Sequence, residues 1–160
     1  EWGWGHLTAS LQSPYVNDYE AVDIDGIVSQ RAVGVEVDDS AIPEWQTNVQ
    51  VGWGKNDFSA NWTVRYISSV EEDCTNIDFD GFIPGCENPE RMNRLGSVTY
   101  HDVQFAWANA FAEGLKLSAG VNNLFGKEPP VCITCSLNGY DAGTYDLPGA
   151  FWYVSADYRF

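Results

Sequence analysis

Positive charge is scarce in this sequence, and its scarcity argues against one large class of function. The 160 residues contain 8 Lys and Arg against 23 Asp and Glu, which gives a formal net charge of −15. A nucleic-acid-binding protein needs a basic surface to neutralise phosphates, so no nucleic-acid partner is expected. Disorder is also disfavoured, because 44% of the residues are hydrophobic and 7 are Trp.

Long apolar runs and a start signal are also missing. No stretch of about 20 apolar residues is present, which argues against a membrane-spanning helix, whereas a membrane-spanning strand needs only alternation over about 10 residues. The sequence opens on Glu1 without an initiator Met, and its one Met is Met92. The opening residues do not resemble a signal peptide. We therefore expect residues 1–160 to be one piece of a longer protein.

Groupings of catalytic residues are lacking as well. His6 and His101 are the two His of the sequence, and neither lies in a Ser-His-acid or Cys-His arrangement. No Gly-rich phosphate-binding loop is present. The sequence therefore predicts no enzyme, no catalytic residue and no cofactor-binding residue.

What the sequence does contain is strand-like alternation. Six segments place an apolar residue at every second position, which is typical of a strand with one apolar and one polar face. Short turns at 54–57 and 109–114 alternate with long acidic stretches at 20–42, 68–97 and 126–148. This layout predicts an all-β, antiparallel up-and-down sheet of about six strands in three hairpins, as in a transmembrane β-barrel. The six segments are 7–15, 45–53, 58–66, 103–107, 115–121 and 152–160.

The apolar side of these segments is ordered along the strand direction. Aromatic residues lie near the strand ends and small aliphatic residues lie between them, which matches the interfaces and the interior of a bilayer. A soluble β-sandwich is the alternative, but its core usually mixes aliphatic and aromatic residues at all depths. On the polar side, charged residues are expected to form cross-strand ion pairs. The aromatic end residues are Trp45, Trp53, Phe58, Tyr66, Trp107, Trp152, Tyr158 and Phe160, and the polar-side charges are Arg65, Asp102, Lys116, Asp157 and Arg159.

A family resemblance is carried by residues 117–130. They read Leu-Ser-Ala-Gly-Val-Asn-Asn-Leu-Phe-Gly-Lys-Glu-Pro-Pro, which resembles the penultimate-strand motif N-N-L-F-D/N-K-x-P-P of TonB-dependent outer-membrane receptors. Gly126 stands where that family more often has Asp or Asn. Residues 140–149 are similar to the family's last extracellular loop, with Ala150 in place of its usual Arg. The motif residues are Asn122, Asn123, Leu124, Phe125, Pro129 and Pro130.

The last ten residues resemble the C-terminal strand of the same family, which ends in an aromatic residue. The resemblance implies that this strand is recognised by the barrel-assembly machinery, since an amphipathic strand with a free edge templates pairing. Barrels of this class have 22 strands and a plugged lumen, so six strands imply an incomplete barrel whose plug domain is absent. An unclosed edge in lipid leaves backbone groups unsatisfied, so the piece alone is not expected to insert stably. The expected assembly-signal residues are Trp152, Val154, Ala156, Tyr158 and Phe160.

The resemblance also implies a function and a location. Receptors of this family lie in the bacterial outer membrane, contact lipid and lipopolysaccharide, and import a scarce small-molecule nutrient such as a siderophore, cobalamin or a glycan. The TonB complex supplies the energy through the plug. Two other classes fit the same residues: a passive porin-like barrel, and a soluble, disulfide-stapled β-sandwich that binds carbohydrate. The sequence does not identify the cargo.

Four cysteines fall in the long acidic stretches and none in a strand segment. In an outer-membrane protein they predict disulfides that hold loops, for which we take the pairs Cys74–Cys86 and Cys132–Cys135 among three possible connectivities. A zinc site usually needs two C-x-x-C pairs with converging thiolates, and only residues 132–135 have that spacing. No metal site is therefore predicted.

The same stretches hold two weaker candidates for binding. The D-x-D-G sequences at 23–26 and 78–81 offer oxygen ligands that suit Ca²⁺, but neither is followed by a complete twelve-residue loop. Divalent cations that bridge these loops to lipopolysaccharide are the alternative. By the family resemblance, four loop aromatics are candidates for stacking on a ligand, with packing among the loops as the alternative. They are Phe79, Phe82, Tyr140 and Tyr145.

Overall fold

The chain is all-β in the part that the structure describes. A computed structural model describes residues 3–22, 24–26, 28–30, 33–37, 39–72, 94–136 and 138–160. These residues form no helix with the length and apolar character that a membrane span requires. The strands are β1 (His6–Gln12), β2 (Glu20–Val22), β3 (Val28–Gln30), β4 (Val35–Val37), β5 (Ser40–Ala41), β6 (Gln46–Lys55), β7 (Phe58–Ile67), β8 (Val70–Glu72), β9 (Arg94–Leu95), β10 (Val98–Trp107), β11 (Leu115–Asn122) and β12 (Phe151–Tyr158).

The six long strands form one antiparallel sheet. Their order is β1-β6-β7-β10-β11-β12, so neighbours in the sheet follow one another along the chain once the short strands are set aside. This confirms the predicted antiparallel up-and-down arrangement of six strands. The sheet is open, with β1 and β12 at its two ends.

Two tight connections fix the register at one end of the sheet. The β6–β7 turn holds Asn56 at a φ of 53°, and the β10–β11 link holds Asn109 at 50° and Gly114 at 84°. Asn tolerates this left-handed conformation, and Gly adopts it without a steric penalty. The Asn109 side chain accepts a hydrogen bond from the Gly114 amide at 3.0 Å and donates one to Asp57 at 3.1 Å, which joins the two turns.

On the polar face, glycine occupies positions where the ring of a neighbouring side chain packs against the backbone. A Cβ on Gly120 would come within 2.5 Å of the Tyr153 ring of the adjacent strand. A Cβ on Gly54 would come within 2.4 Å of the His6 ring. Only Gly allows so close an approach of ring to backbone.

The core of the described chain lies at the opposite end, among the long connections. Strands β5, β4, β8 and β9 form a four-stranded sheet there, in which β4 and β8 are parallel. We call this sheet, together with residues 126–148, the cap. The predicted loops at 20–42 and 68–97 thus contain short strands that the sequence pattern did not show. A buried apolar cluster joins the cap to the ends of β7 and β10. Its members are Ile67, Val70, Leu95, Val98, Tyr100, Cys132 and Tyr145.

Candidate functional site

The six-stranded sheet presents a continuous apolar face. Strand register aligns the apolar side of each strand with that of its neighbour, so the face crosses the sheet without interruption. Exposed side chains occur on all six strands of this face, with Leu7 76% and Val154 82% accessible, while Val121 is 4% accessible. No layer of described residues covers this face. One complete cross-strand row is Leu7, Trp53, Ala60, Phe105, Ala119 and Val154.

Aromatic rings gather at both ends of this face. At the tight-turn end, Phe58 stacks on Trp107 with centroids 5.6 Å apart. At the cap end, Tyr15 packs edge-on against Trp45 at 5.8 Å. Eight residues separate Phe58 from Tyr66 on β7, which is about 27 Å along a strand and about 20 Å for a strand tilted as in a barrel. The apolar band of a membrane barrel is about 25 Å tall, so the two aromatic zones lie at a comparable spacing.

His101 departs from this order. It lies on the apolar face near the cap end, where its ring stacks on Trp62 at 5.7 Å and meets the edge of Phe125 at 5.0 Å. The motif residue Phe125 is thereby placed beside the aromatic zone, and its ring is exposed. The imidazole therefore acts as a third aromatic ring between two others.

Arg65 organises the polar face at the level of the cap. Its Nε donates to Asp102 on β10 at 2.9 Å, which confirms the expected cross-strand ion pair. Its Nη1 and Nη2 bind the carboxylate of Asp146 in the last loop, the former at 3.0 Å. The guanidinium also lies 5.1 Å from the ring centre of Tyr100, a cation–π contact. One side chain thus joins two strands to the last loop. At the other end of the polar face, Lys116 and Asp157 are register partners.

Asn123, at the centre of the family-like motif, has a clear structural role. It is 2% exposed and adopts a φ of 52° just after β11. Its amide nitrogen donates to the carbonyls of Lys127 at 2.8 Å and Gly149 at 3.1 Å, and its oxygen accepts from the Lys127 amide at 2.7 Å. Its backbone amide donates to Asp102 at 2.8 Å. Asn123 therefore fastens both ends of the last loop to the sheet, whereas Asn122 is exposed.

Carboxylates on the short strands hold the last loop inside the cap. Glu36 accepts hydrogen bonds from the Asp39 amide at 2.7 Å and from Thr134 at 3.0 Å. Glu72 accepts one from the Ile133 amide at 2.7 Å. Asp141 is fully buried and accepts from the Ala41 amide at 2.9 Å. Except for the local bond between Glu36 and Asp39, these contacts join chain segments that are 61 to 100 residues apart.

Glu36 and Glu72 are the unusual acids of the cap. They are register partners on the parallel strands β4 and β8, and they are 2% and 4% exposed. Burial raises the pKa of both carboxyls above the ordinary value of 4.5, and the charge of Glu36 raises the pKa of Glu72 further. Protonation of a buried carboxyl removes its charge and so lowers the cost of keeping it out of water.

The predicted site residues differ in where they lie: some are within the cap, and others are outside the described residues. Cys132 and Cys135 form a disulfide with Cα atoms 5.4 Å apart, as predicted. Tyr140 and Tyr145 are 7% and 4% exposed and pack inside the cap. Burial by neighbouring groups raises the pKa of the Tyr145 hydroxyl. The predicted residues Cys74, Cys86, Phe79, Phe82, Asp23, Asp78 and Asp80 lie outside the described residues.

The expected assembly-signal strand is the last strand of the sheet. It pairs with β11 along its whole length, from Leu115–Tyr158 to Asn122–Phe151. Trp152, Val154 and Tyr158 are exposed on the apolar face, and Phe160 continues past the strand end with its ring 5.0 Å from Tyr158. Its other edge is free of β-pairing to described residues.

Several important residues gave no signal in the sequence. Glu36, Glu72 and Asp146 look like ordinary members of acidic stretches, and only their partners distinguish them. Burial of an acid within a polar stretch leaves no periodic pattern, so contacts such as Glu36 with Thr134, 98 residues apart, were not predictable.

Comparison with known proteins adds no relatives: no family model matches the chain, and neither the curated proteins nor the solved structures include a significant match.

Proposed function

We propose that this chain forms part of the wall of an outer-membrane β-barrel. The observation that carries the proposal is the uncovered apolar face, which crosses all six long strands and has aromatic rings at both ends. Monomeric soluble proteins rarely expose an apolar patch of this extent. Acyl chains of lipid would cover it, and the aromatic zones would lie at the two interfaces.

The proposal gives the two ends of the sheet different surroundings. The tight turns would face the periplasm, and the acidic cap would face the cell exterior. The polar face, with Arg65 and Asp102 near the cap, would line the lumen. Since β1 and β12 are open in the described sheet, further strands would have to pair with them in lipid, where no water satisfies backbone groups.

Within this class we propose a TonB-dependent receptor for energy-coupled uptake of a scarce nutrient. The support is the likeness of residues 117–130 to that family's motif, together with the role of Asn123 in fastening the last loop. The cap is acidic and internally packed, which disfavours a polyanionic cargo. A passive porin-like barrel is the second candidate, and the coding sequence upstream of Glu1 separates the two. A receptor predicts a plug domain and roughly 400 further barrel residues there, and a porin predicts no plug.

Flotation with lipid vesicles tests the membrane proposal. The matched variants are Val154→Arg on the apolar face and Ser155→Arg on the polar face, at adjacent exposed positions of β12. A charge on the lipid side of a barrel strand costs about 2–4 kcal/mol at the bilayer midplane. The open sheet is not expected to insert stably by itself, so flotation of the refolded chain measures how strongly its apolar face associates with lipid, and the cost at the midplane is an upper bound. We expect Val154→Arg to lower the vesicle-bound fraction about tenfold, and Ser155→Arg to leave it near the wild-type value.

Two outcomes would contradict the membrane proposal. A wild-type chain that stays in the aqueous fraction, monodisperse without detergent, would favour the carbohydrate-binding sandwich. Equal effects of the two Arg variants would mean that the apolar face does not meet lipid. Circular dichroism of each variant confirms that β-structure is retained before flotation is compared.

A further inference from the structure

The disulfide of the cap has a buried carboxylate directly beside it. Cys132 is 1% exposed, and its Sγ lies 3.8 Å from Oε2 of Glu36. The sulfurs of Cys132 and Cys135 and a carboxylate oxygen of Glu36 all lie within 4.8 Å of one another. Cys135 is half-buried, which gives this group one side open to solvent.

A second buried carboxylate, that of Glu72, lies near this group but outside the set of ligand atoms that are within 4.8 Å of one another. Glu72 is 4% exposed, and its Oε1 accepts a hydrogen bond from the amide of Ile133, which lies between the two cysteines. Its Oε2 is buried and has no hydrogen-bond partner among the described residues. A buried carboxylate oxygen without a donor is costly, and a cation would remove that cost.

We infer that Cys132, Cys135 and Glu36 form a zinc site that the disulfide closes and reduction opens, with the buried carboxylate of Glu72 nearby. Two thiolates with carboxylate oxygens suit Zn²⁺, a borderline-soft ion that prefers tetrahedral coordination. Tetrahedral Zn²⁺ places a thiolate sulfur and a carboxylate oxygen about 3.5 Å apart, close to the 3.8 Å between Cys132 Sγ and Glu36 Oε2.

A phosphine or a dithiol can reduce the disulfide between Cys132 and Cys135. A phosphine delivers two electrons to the S–S bond and becomes a phosphine oxide with an oxygen from water, while two protons convert the sulfurs to thiols. Zn²⁺ then displaces both thiol protons and binds the thiolates. Air oxidation of the freed thiols restores the disulfide and excludes the metal. This inference uses only the cap and is independent of the membrane proposal.

Cobalt serves as the spectroscopic probe for this site, because bound thiolates give Co²⁺ a charge-transfer band in the near ultraviolet. The 160-residue chain carries Cys74→Ser and Cys86→Ser, so that Cys132 and Cys135 are its only thiols. After anaerobic phosphine treatment we expect a single equivalent of Co²⁺ to bind and to be displaced by Zn²⁺. The oxidised chain is expected to show no band.

Two substitutions of acids on neighbouring strands test the carboxylate ligand. Glu36→Gln is expected to weaken Co²⁺ binding at least about tenfold, or about 1.4 kcal/mol. Glu71→Gln, at an exposed acid of β8, is expected to leave affinity unchanged. If Glu36→Gln opens the cap, as judged by near-ultraviolet circular dichroism, Glu36→Asp, which keeps a carboxylate but shortens its reach, takes its place as the carboxylate test.

Several outcomes would overturn the inference. The absence of a thiolate–cobalt band in the reduced chain would do so directly. Equal affinity in the Cys74→Ser, Cys86→Ser chain with and without the substitution of Glu36 would reduce the site to a pair of thiols. Binding of the same strength by the reduced chain unfolded in urea would mean that the cap geometry contributes nothing.

Discussion

The sheet and the cap treat their apolar side chains in opposite ways. Leu11 on β1 is 67% exposed, whereas Leu95 on β9 is 1% exposed. In the cap, apolar residues pack together and buried carboxylates bind backbone amides. In the sheet, the same residue types face outward across six strands. The apolar side chains of the cap are thus buried, whereas many of those on the sheet are exposed, and the proposed contact of the sheet with lipid would account for this difference.

Matched truncations of leucine give the largest expected contrast between the two regions. Leu95→Ala leaves a cavity in the cap core, and we expect a loss of about 2–5 kcal/mol. Leu11→Ala shortens a side chain that is 67% exposed, so in detergent we expect a loss of less than about 1 kcal/mol. Urea denaturation in the same detergent measures both. Similar losses for the two variants would mean that the apolar face is covered by protein in solution.

The adjacent motif residues provide the next contrast. Asn123→Ala removes three side-chain hydrogen bonds and places Ala at a positive φ, so we expect a loss of about 2–3 kcal/mol. Asn122→Ala, at an exposed position, is expected to stay within about 0.5 kcal/mol of the parent. Limited proteolysis within 127–149 reports which variant frees the loop. Equal cleavage of both would remove the fastening role of Asn123.

Replacement of Arg65 tests the connection between the sheet and the cap. Arg65→Met keeps much of the side-chain volume but leaves Asp102 and Asp146 without their cation. Because the two ion pairs are partly buried, we expect the free energy of unfolding to fall by about 2 kcal/mol. Arg94→Met serves as the control, since Arg94 is exposed and donates a hydrogen bond to the Ser69 hydroxyl at 2.8 Å. Thermal unfolding in near-ultraviolet circular dichroism distinguishes them. A larger loss for Arg94→Met would contradict the central role of Arg65.

The smallest expected effect is a pH dependence confined to the cap. Burial raises the pKa of Glu36 and Glu72 above 4.5 in the folded state. The folded cap therefore holds more protons than the unfolded chain, and its stability falls as the pH rises from about 4.5 through the raised values. We expect the cap melting temperature to decrease with pH, and Glu36→Gln to flatten that slope. Glu71→Gln is the control, and a slope unchanged by Glu36→Gln would locate the titration elsewhere.

The sheet was predictable from sequence, and the cap was not. The alternation in 58–66 predicted β7 to within one residue, because one apolar and one polar face leave a period of two. The alternation that predicted β10 began at Val103, whereas the strand starts at Val98. The reason is that Tyr100, on the polar side, is buried in the cap and His101, on the apolar side, is an imidazole between two rings.

The cap escaped prediction because its strands are two or three residues long. No periodic pattern fits into so few residues, and their stability depends on contacts between distant segments. The disulfide between Cys132 and Cys135 was predictable because its partners are three residues apart. The carboxylate beside it was not, since Glu36 lies 96 residues away.

The parallel pairing of β4 with β8, which joins distant segments of the chain, indicates the order in which the two regions fold. Neighbouring long strands of the sheet are consecutive in the chain, so each can pair with its predecessor as a hairpin. The cap joins residues as far apart as Ala41 and Thr144, 103 positions along the chain, and so closes the longest loops. We expect it to assemble after the sheet and to open before it, so that amide protection at Ala41 and Ile133 marks the last step of folding.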